Sequence, residues 1–170
     1  MATKAIRKNQ LVEKTVEYLK LNIGENYINR SDIYAFKFSG DVSAAPYVVV
    51  DTSPTHPQPV QESQQSQIRY VNLDVSVFYP LDKSKVVVRT INGQDVIDTQ
   101  TDAYIVAKKS VNNVTDDIIE TLYSKAYISS IKMQGVAITN EGDVGIEENA
   151  AEQPVMIYTV EIETRSFLII

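Results

Sequence analysis

The side chains of this sequence that could carry out chemistry are one histidine and several groups of carboxylates. His56 is the single histidine of the chain, and it lies between Pro54 and Pro57 in a polar stretch. The chain has no cysteine, which excludes disulfides and thiolate metal sites. Any histidine-based triad or metal site would depend on His56 alone, and no regular element positions it. The sequence therefore predicts an exposed loop histidine at this position.

Two groups of acids are the remaining candidates for acid–base or metal chemistry. The first group stands near the start of a predicted helix, where the helix dipole alone favours acids: Asp116, Asp117 and Glu120. The second group lies late in the chain: Glu141, Asp143, Glu147 and Glu148. It resembles a calcium loop in composition but lacks the alternating ligands and the final acid of such a loop. Phosphate-loop, dinucleotide, nucleophile-elbow and zincin motifs are also missing, so the sequence predicts no enzyme activity, no metal and no cofactor.

The composition is that of a globular protein with an acidic body. The chain has 170 residues, of which 44% are hydrophobic and 22% charged, and its net charge is −6. Lys4, Arg7 and Lys8 fall within the first eight residues, which contain no acid, so the remainder is more acidic still. Such a body repels a polyanion over most of its surface. No run approaches the roughly 20 apolar residues of a membrane helix, and the first residues lack a signal core, so we expect synthesis in the cytoplasm of the producing cell.

Apolar residues at helical spacing indicate two amphipathic helices. The first stripe consists of Val12, Val16, Leu19 and Ile23. The second consists of Ala107, Val111, Val114, Ile118 and Leu122, and it predicts a helix over 110–124. The same stripe favours helix over 102–109, although Tyr104, Ile105 and Val106 are also compatible with a strand. A shorter helix beginning near Thr115 is the other alternative.

Strand patterns fill most of the remaining chain. Residues 46–51, 68–80, 132–139 and 155–170 are apolar or alternate with period two, as antiparallel strands do. Asn92-Gly93 supplies the two positive φ angles of a type I′ turn, and few large apolar groups flank it, which predicts a hairpin over 85–99 that projects from the core. The fold class predicted is α+β: a mainly antiparallel β-sheet with two α-helices packed on one face, plus this hairpin.

The predicted organisation is one domain over residues 1–170, with a flexible basic arm at 1–8 and long polar loops at 53–67 and 140–154. Loops longer than about 12–15 residues are usually functional or disordered. With no catalytic groups to position, these loops and the hairpin predict a subunit that works by contact. The candidate interaction residues are Thr55, His56, Gln58, Gln61, Asn92, Gly93, Gln94, Glu147, Glu148, Phe167 and Leu168.

The order of these signals resembles that of the tail terminator, or tail completion, proteins of long-tailed bacteriophages. The resemblance is one of element order and hydrophobic pattern over most of the chain, and no short motif carries it. Its segments here are LVEKTVEYLKLNI, GDVSAAPYVVVDT, IRYVNLDVSVFYP, VTDDIIETLYSKA, IKMQGVAIT and VMIYTVEIETRS. The hairpin KVVVRTINGQDVID is an addition relative to the smallest members of that family.

The resemblance implies a structural virion protein that forms a ring, commonly a hexamer, on the tail tube. Such a ring ends tube polymerisation and provides the surface on which the head or its neck proteins dock. The implied partners are other copies of the chain, the tail tube protein, neck or connector proteins and, as a further candidate, the sheath. DNA would be a passing cargo only, and the location would be the head-proximal end of the virion tail. The alternative is another neck, head-completion or baseplate subunit of a phage particle.

Overall fold

A mainly antiparallel sheet with helices on one face forms the centre of the computed structural model, which describes residues 7–24, 28–36, 46–53, 66–133, 135–148 and 153–169. The helices are α1 Lys8–Asn22, α2 Asp102–Leu122 and α3 Lys125–Ser130, with a 3-10 turn at Arg30–Asp32. The strands are β1 Ile33–Ala35, β2 Tyr47–Thr52, β3 Ser66–Pro80, β4 Val88–Ile91, β5 Gln94–Ile97, β6 Gly135–Glu148 and β7 Pro154–Ile169. The α+β prediction is confirmed.

The five strands of the main sheet lie in the order β1-β2-β3-β7-β6. All neighbours are antiparallel except β1 and β2, which run parallel. The longest pairing joins β3 to β7 from Ser66 opposite Ile169 to Pro80 opposite Val155. Along β3, Val71, Leu73 and Val75 are buried and alternate with half-buried polar residues, as the period-two pattern predicts. One face of the sheet therefore packs in the core.

Both long helices cover that apolar face. α1 packs on β1 and β2, and α2 packs on β3 and β7, which accounts for the stripes read from the sequence. Val16, Val114 and Ile118 are among the side chains that join the strand valines in one buried cluster. α2 extends from Asp102 to Leu122 without interruption, so the strand alternative for its first turns is wrong. Among the described residues, no helix is long and apolar enough to cross a membrane.

The short helix α3 was not predicted, and it closes the helical layer. Its six residues are too few for an apolar stripe to be visible in the sequence. The Ser124 hydroxyl caps it by accepting a hydrogen bond from the Tyr127 backbone N–H at 3.1 Å. Tyr127 is fully buried, and its ring lies 5.2 Å from that of Tyr18, centroid to centroid. α3 therefore contributes a buried aromatic contact with α1, in addition to the direct packing of α1 on α2.

The predicted hairpin is confirmed. β4 and β5 form a separate two-stranded sheet joined by Asn92 and Gly93, whose φ angles are +52° and +78°. Positive values at both positions are what a type I′ turn requires, and asparagine and glycine tolerate them at low cost. Neither strand pairs with the main sheet within the described residues. Local turn chemistry therefore specifies the reversal of the chain at Asn92-Gly93.

Part of the predicted loop over 140–154 is wrong, because β6 continues to Glu148. Acids and glycines are poor strand formers, but β7 offers a complete hydrogen-bonding ladder opposite them, and pairing overrides propensity. Two register shifts, between Ile138 and Asn140 and between Asp143 and Gly145, absorb the irregular residues as bulges. Gly145 adopts φ +108° in the second shift, a value that favours glycine. Residues 149–152 lie outside the described part of the chain.

The predicted N-terminal arm and the predicted loop over 53–67 also end at different residues in the structure. Lys8 is the first residue of α1, so the predicted arm over 1–8 is wrong at its last residue, and residues 1–6 lie outside the described residues. β3 begins at Ser66, which shortens the predicted loop over 53–67, and residues 54–65 lie outside the described part. In both cases hydrogen bonding to a neighbouring turn or strand extends the element beyond its apolar pattern.

Candidate interaction surface

Exposed aliphatic side chains are concentrated on the hairpin and the segment that leads into it. Val87, Val88, Ile91 and Val96, here called the hairpin surface, are 51%, 54%, 55% and 45% exposed. Val88 lies opposite Ile97, which packs against the core, so this face of the hairpin is turned inward. Ile91 and Val96 alternate with those residues and lie on the other, outer face. The hairpin therefore presents apolar groups on both faces.

Two clefts separate the hairpin from the body. A groove of about 640 Å³ lies between the hairpin and the end of β6, with Val88, Ile97 and Ile146 among its lining residues. A second cleft of about 660 Å³ lies at the hairpin base, beside Leu81, Lys85 and Val106. A two-stranded hairpin is at best marginally stable by itself in water. Its exposed aliphatic groups and the flanking clefts mark a surface that is suited to protein contact.

A second notable surface is a row of carboxylates on the sheet face opposite the helices. Asp51 lies opposite Asp74 in the pairing of β2 with β3, and Asp74 lies opposite Glu161 in the pairing of β3 with β7. These three residues are called the acidic row. Where the structure describes side chains, none of the three forms an ion pair with a basic residue. Like charges directly opposite one another destabilise a sheet, so the row costs stability.

The pKa of Asp74, at the centre of the acidic row, is raised by burial and by its acidic neighbours. Burial raises the pKa of Asp74 above its ordinary value, and the carboxylates of Glu161 and Asp51 raise it further. The nearby Ser53 side chain opposes part of this effect on the pKa. Because the pKa is higher in the folded than in the unfolded chain, stability is present at low pH and is lost as the pH rises through the raised value. At neutral pH the charged Asp74 therefore weakens the fold.

Replacing Asp74 with asparagine is accordingly expected to stabilise the protein at pH 7. The expected gain is about 0.5–1 kcal/mol in the free energy of unfolding, the size of one unfavourable cross-strand charge pair. Urea unfolding measures it, and the gain should shrink near pH 4, where aspartate itself becomes protonated. Asp116→Asn, at an exposed position on α2, is the matched control and should change stability little. A less stable Asp74→Asn variant at pH 7 would contradict the account of the acidic row.

The structure divides the predicted interaction residues into separate places. Asn92 and Gly93 form the exposed hairpin turn, and Gln94 begins β5 beside them. Glu147 is exposed near the end of β6, and Glu148 is the last residue of that strand, opposite Pro154. Within the described part of the chain, none of these five residues lines the groove, but sequence neighbours of both sets do: Asp95, Val96 and Ile97 on the hairpin side, and Gly145 and Ile146 on β6. Hairpin and β6 end thus form one surface.

The other predicted residues are not part of that surface or lie outside the described chain. Phe167 and Leu168 lie near the far end of β7, where their backbones pair with Ile68 and Gln67. Thirteen residues of extended strand separate Phe167 from Pro154, or about 40 Å at ~3.3 Å per residue. Thr55, His56, Gln58 and Gln61 lie outside the described residues. The hairpin and the C-terminal apolar segment therefore belong to different regions of the molecule.

Sequence reasoning missed the hairpin aliphatics and the acidic row. The run KVVVRTI contains the signal for the former, because it places four aliphatic residues beside a projecting turn, and of these four Val86 alone is buried. The acidic row has no local signal, since its three members come from three strands that are distant in sequence. Among the described residues, no group of three or more histidine or acidic side chains is arranged to hold a metal ion.

Comparison with known proteins adds no family. No protein-family model matches the chain, and no curated protein sequence matches it. The resemblance to tail terminator proteins stays a prediction.

Proposed function

We propose that this protein is a ring-forming structural subunit that caps the tail tube of a long-tailed bacteriophage, ends tube polymerisation and presents a docking surface for the head or neck. The observation that carries the assembly part of this proposal is the hairpin, which is held away from the main sheet and has aliphatic side chains exposed on both faces. Burial of the hairpin against a neighbouring subunit would stabilise it, because an isolated hairpin is at best marginally stable in water. The tail-specific part rests on the resemblance in element order.

Charge supports the same proposal. The chain carries a net charge of −6, and the acidic row keeps three carboxylates side by side at a cost in stability. Several copies around a channel would give an acidic lumen that repels passing DNA. A subunit of this kind has no need for catalytic groups, cofactors or nucleic-acid contacts. Its partners would be its own copies, the tube protein and neck proteins.

Mass photometry of the purified protein, followed by negative-stain imaging with and without isolated tail tubes, tests the proposal. We expect closed rings, and we expect them at one end of each tube. The matched measurement uses purified neck and baseplate assemblies in place of tubes, because a different virion subunit would bind those instead. A protein that stays monomeric and ignores tubes would refute the proposed function.

A further inference from the structure

The described part of the chain contains two kinds of unpaired strand edge. β6 is the last strand of the main sheet, and no described strand pairs with its outer edge. β1 is the end strand on the other side of that sheet, and the hairpin supplies two more edges, those of β4 and β5. Every second residue of an antiparallel edge strand directs its N–H and C=O away from its partner, so such edges are templates for strand addition. An edge of one copy can therefore meet a different edge of the next.

We propose that β4 of one copy adds to the outer edge of β6 in a neighbouring copy, alongside Asn140 and Asp143, so that strand addition closes the ring. This inference rests on the proposed ring and specifies its interface. The hairpin of one subunit would then continue the five-stranded sheet of the next. The contact is heterologous, since different surfaces meet, and heterologous contacts generate rings when the rotation closes.

Charge selects β4 over β5 as the added strand. Residues 83–91 contain Lys83, Lys85 and Arg89 and no acid, whereas the β5 side contains Asp95 and Asp98 and no base. All three cations are exposed, although Arg89 pairs with Asp98 at 2.8 Å and Lys85 with Asp82 at 3.8 Å. Basic residues on β4 and in the segment before it suit an acidic partner edge, whereas the acids on β5 and directly after it would be repelled by such an edge.

β6 provides that acidic edge. Residues 141–148 contain four acidic residues and no basic residue: Glu141, Asp143, Glu147 and Glu148. Glu141 and Glu147 are exposed. In an antiparallel arrangement over residues 140–143, Ile91 would lie opposite Asn140 and Thr90 opposite Glu141. Arg89 would then lie opposite Gly142, between Glu141 and Asp143, with Lys83 and Lys85 toward the end of the strand. The same acids oppose pairing of one β6 edge with another, which disfavours a closed two-fold dimer through this strand.

Strand length also matches. The two bulges divide β6 into three regularly paired segments of four residues each, beginning at Gly135, Asn140 and Gly145. β4 is itself four residues long. Bulges twist an edge and normally prevent indiscriminate pairing along it. A four-residue strand fits between them, whereas a longer strand would have to cross a bulge.

Cysteine cross-linking tests the interface directly, because the natural chain has no cysteine. A Thr90→Cys chain is mixed with an Asn140→Cys chain and treated with a short bis-maleimide, while mass photometry records the oligomeric state. We expect a cross-linked pair that requires both cysteines. The control mixes Thr90→Cys with Glu17→Cys, an exposed position on α1 at the other side of the sheet, and should give none.

Charge exchange provides a second readout that misfolding would not reproduce. Lys83→Glu with Lys85→Glu should weaken assembly about tenfold or more, and adding Glu141→Lys with Glu147→Lys to the same chain should restore it. Rings without the Thr90–Asn140 cross-link, or Thr90 cross-linked to Thr90, would overturn strand addition while leaving the ring intact. Monomers in every sample would overturn both the interface and the proposed function.

Discussion

A variant carrying Ile91→Thr and Val96→Thr is expected to lose assembly while its monomer stays folded. Both side chains lie on the outer face of the hairpin, where they are 55% and 45% exposed. Threonine keeps the β-branched shape that a strand favours but places a hydroxyl where a methyl group would be buried. The two changes should cost about 2–3 kcal/mol of association free energy, or roughly 30- to 150-fold in the dissociation constant. Mass photometry across a dilution series measures that shift.

The control for this variant removes an exposed aliphatic residue elsewhere. Leu21 on α1 is 71% exposed, and Leu21→Gln should leave both assembly and stability close to those of the unmodified protein. Thermal unfolding of both variants should lie near that of the parent, because neither change touches the buried cluster. If the hairpin variant assembles at parental concentrations, the hairpin surface is not an interface, whatever the function of the protein.

Replacing Tyr127 with alanine is expected to have the largest effect on stability. This side chain is fully buried, contacts the Tyr18 ring and places its hydroxyl 2.7 Å from the Thr15 hydroxyl. Truncating a buried aromatic to alanine costs about 3–5 kcal/mol through lost burial and the cavity left behind. Since small domains are stable by only about 5–15 kcal/mol, urea unfolding should show the midpoint fall sharply. A parental midpoint would mean that α3 does not hold the helical layer.

A smaller substitution separates the hydroxyl of Tyr127 from its ring. The Thr15 hydroxyl donates to the Leu11 carbonyl at 2.7 Å, so Tyr127 is the donor in the bond between the two hydroxyls. Tyr127→Phe should therefore cost about 1 kcal/mol, much less than the alanine change. Leu122→Ala is the comparison for loss of buried volume alone, because Leu122 is also fully buried in the same cluster. This change should lower the free energy of unfolding by about 2–5 kcal/mol.

Alkaline pH gives a further test of the same group. Burial raises the pKa of Tyr127 to about 12, whereas the unfolded chain ionises it near 10.0. Between those values the unfolded state binds fewer protons than the folded state, so stability falls as the pH rises through this window. Unfolding measured from pH 9 to 12 should show a smaller loss in Tyr127→Phe than in the parent. An identical slope in both proteins would place the titrating group elsewhere.

Features set by local chemistry were predictable. The two stripes at helical spacing require amphipathic helices, and the alternation in β3 and β7 commits one face of each strand to a core. Asn92-Gly93 specifies its own turn, because the needed φ angles are properties of those two residues. In each case the deciding interaction spans only a few positions along the chain. The helices, the main strands and the hairpin could therefore be predicted from the sequence alone.

Features set by a distant partner were not predictable. Residues 140–148 form a strand because they pair with β7. Their own sequence, which is acidic and contains glycines, carries no signal for a strand or for that partner. Asp51, Asp74 and Glu161 each point away from the core by simple alternation, but only the register of three strands places them in one row. The exposure of the hairpin valines and of Ile91 likewise depends on where the core ends, which the tertiary structure decides. Hydrophobic periodicity is a local property of the sequence, whereas strand pairing joins residues that are distant along the chain. The sequence alone therefore determined which faces of the helices and strands are buried, and the tertiary structure decided which side chains share an exposed surface.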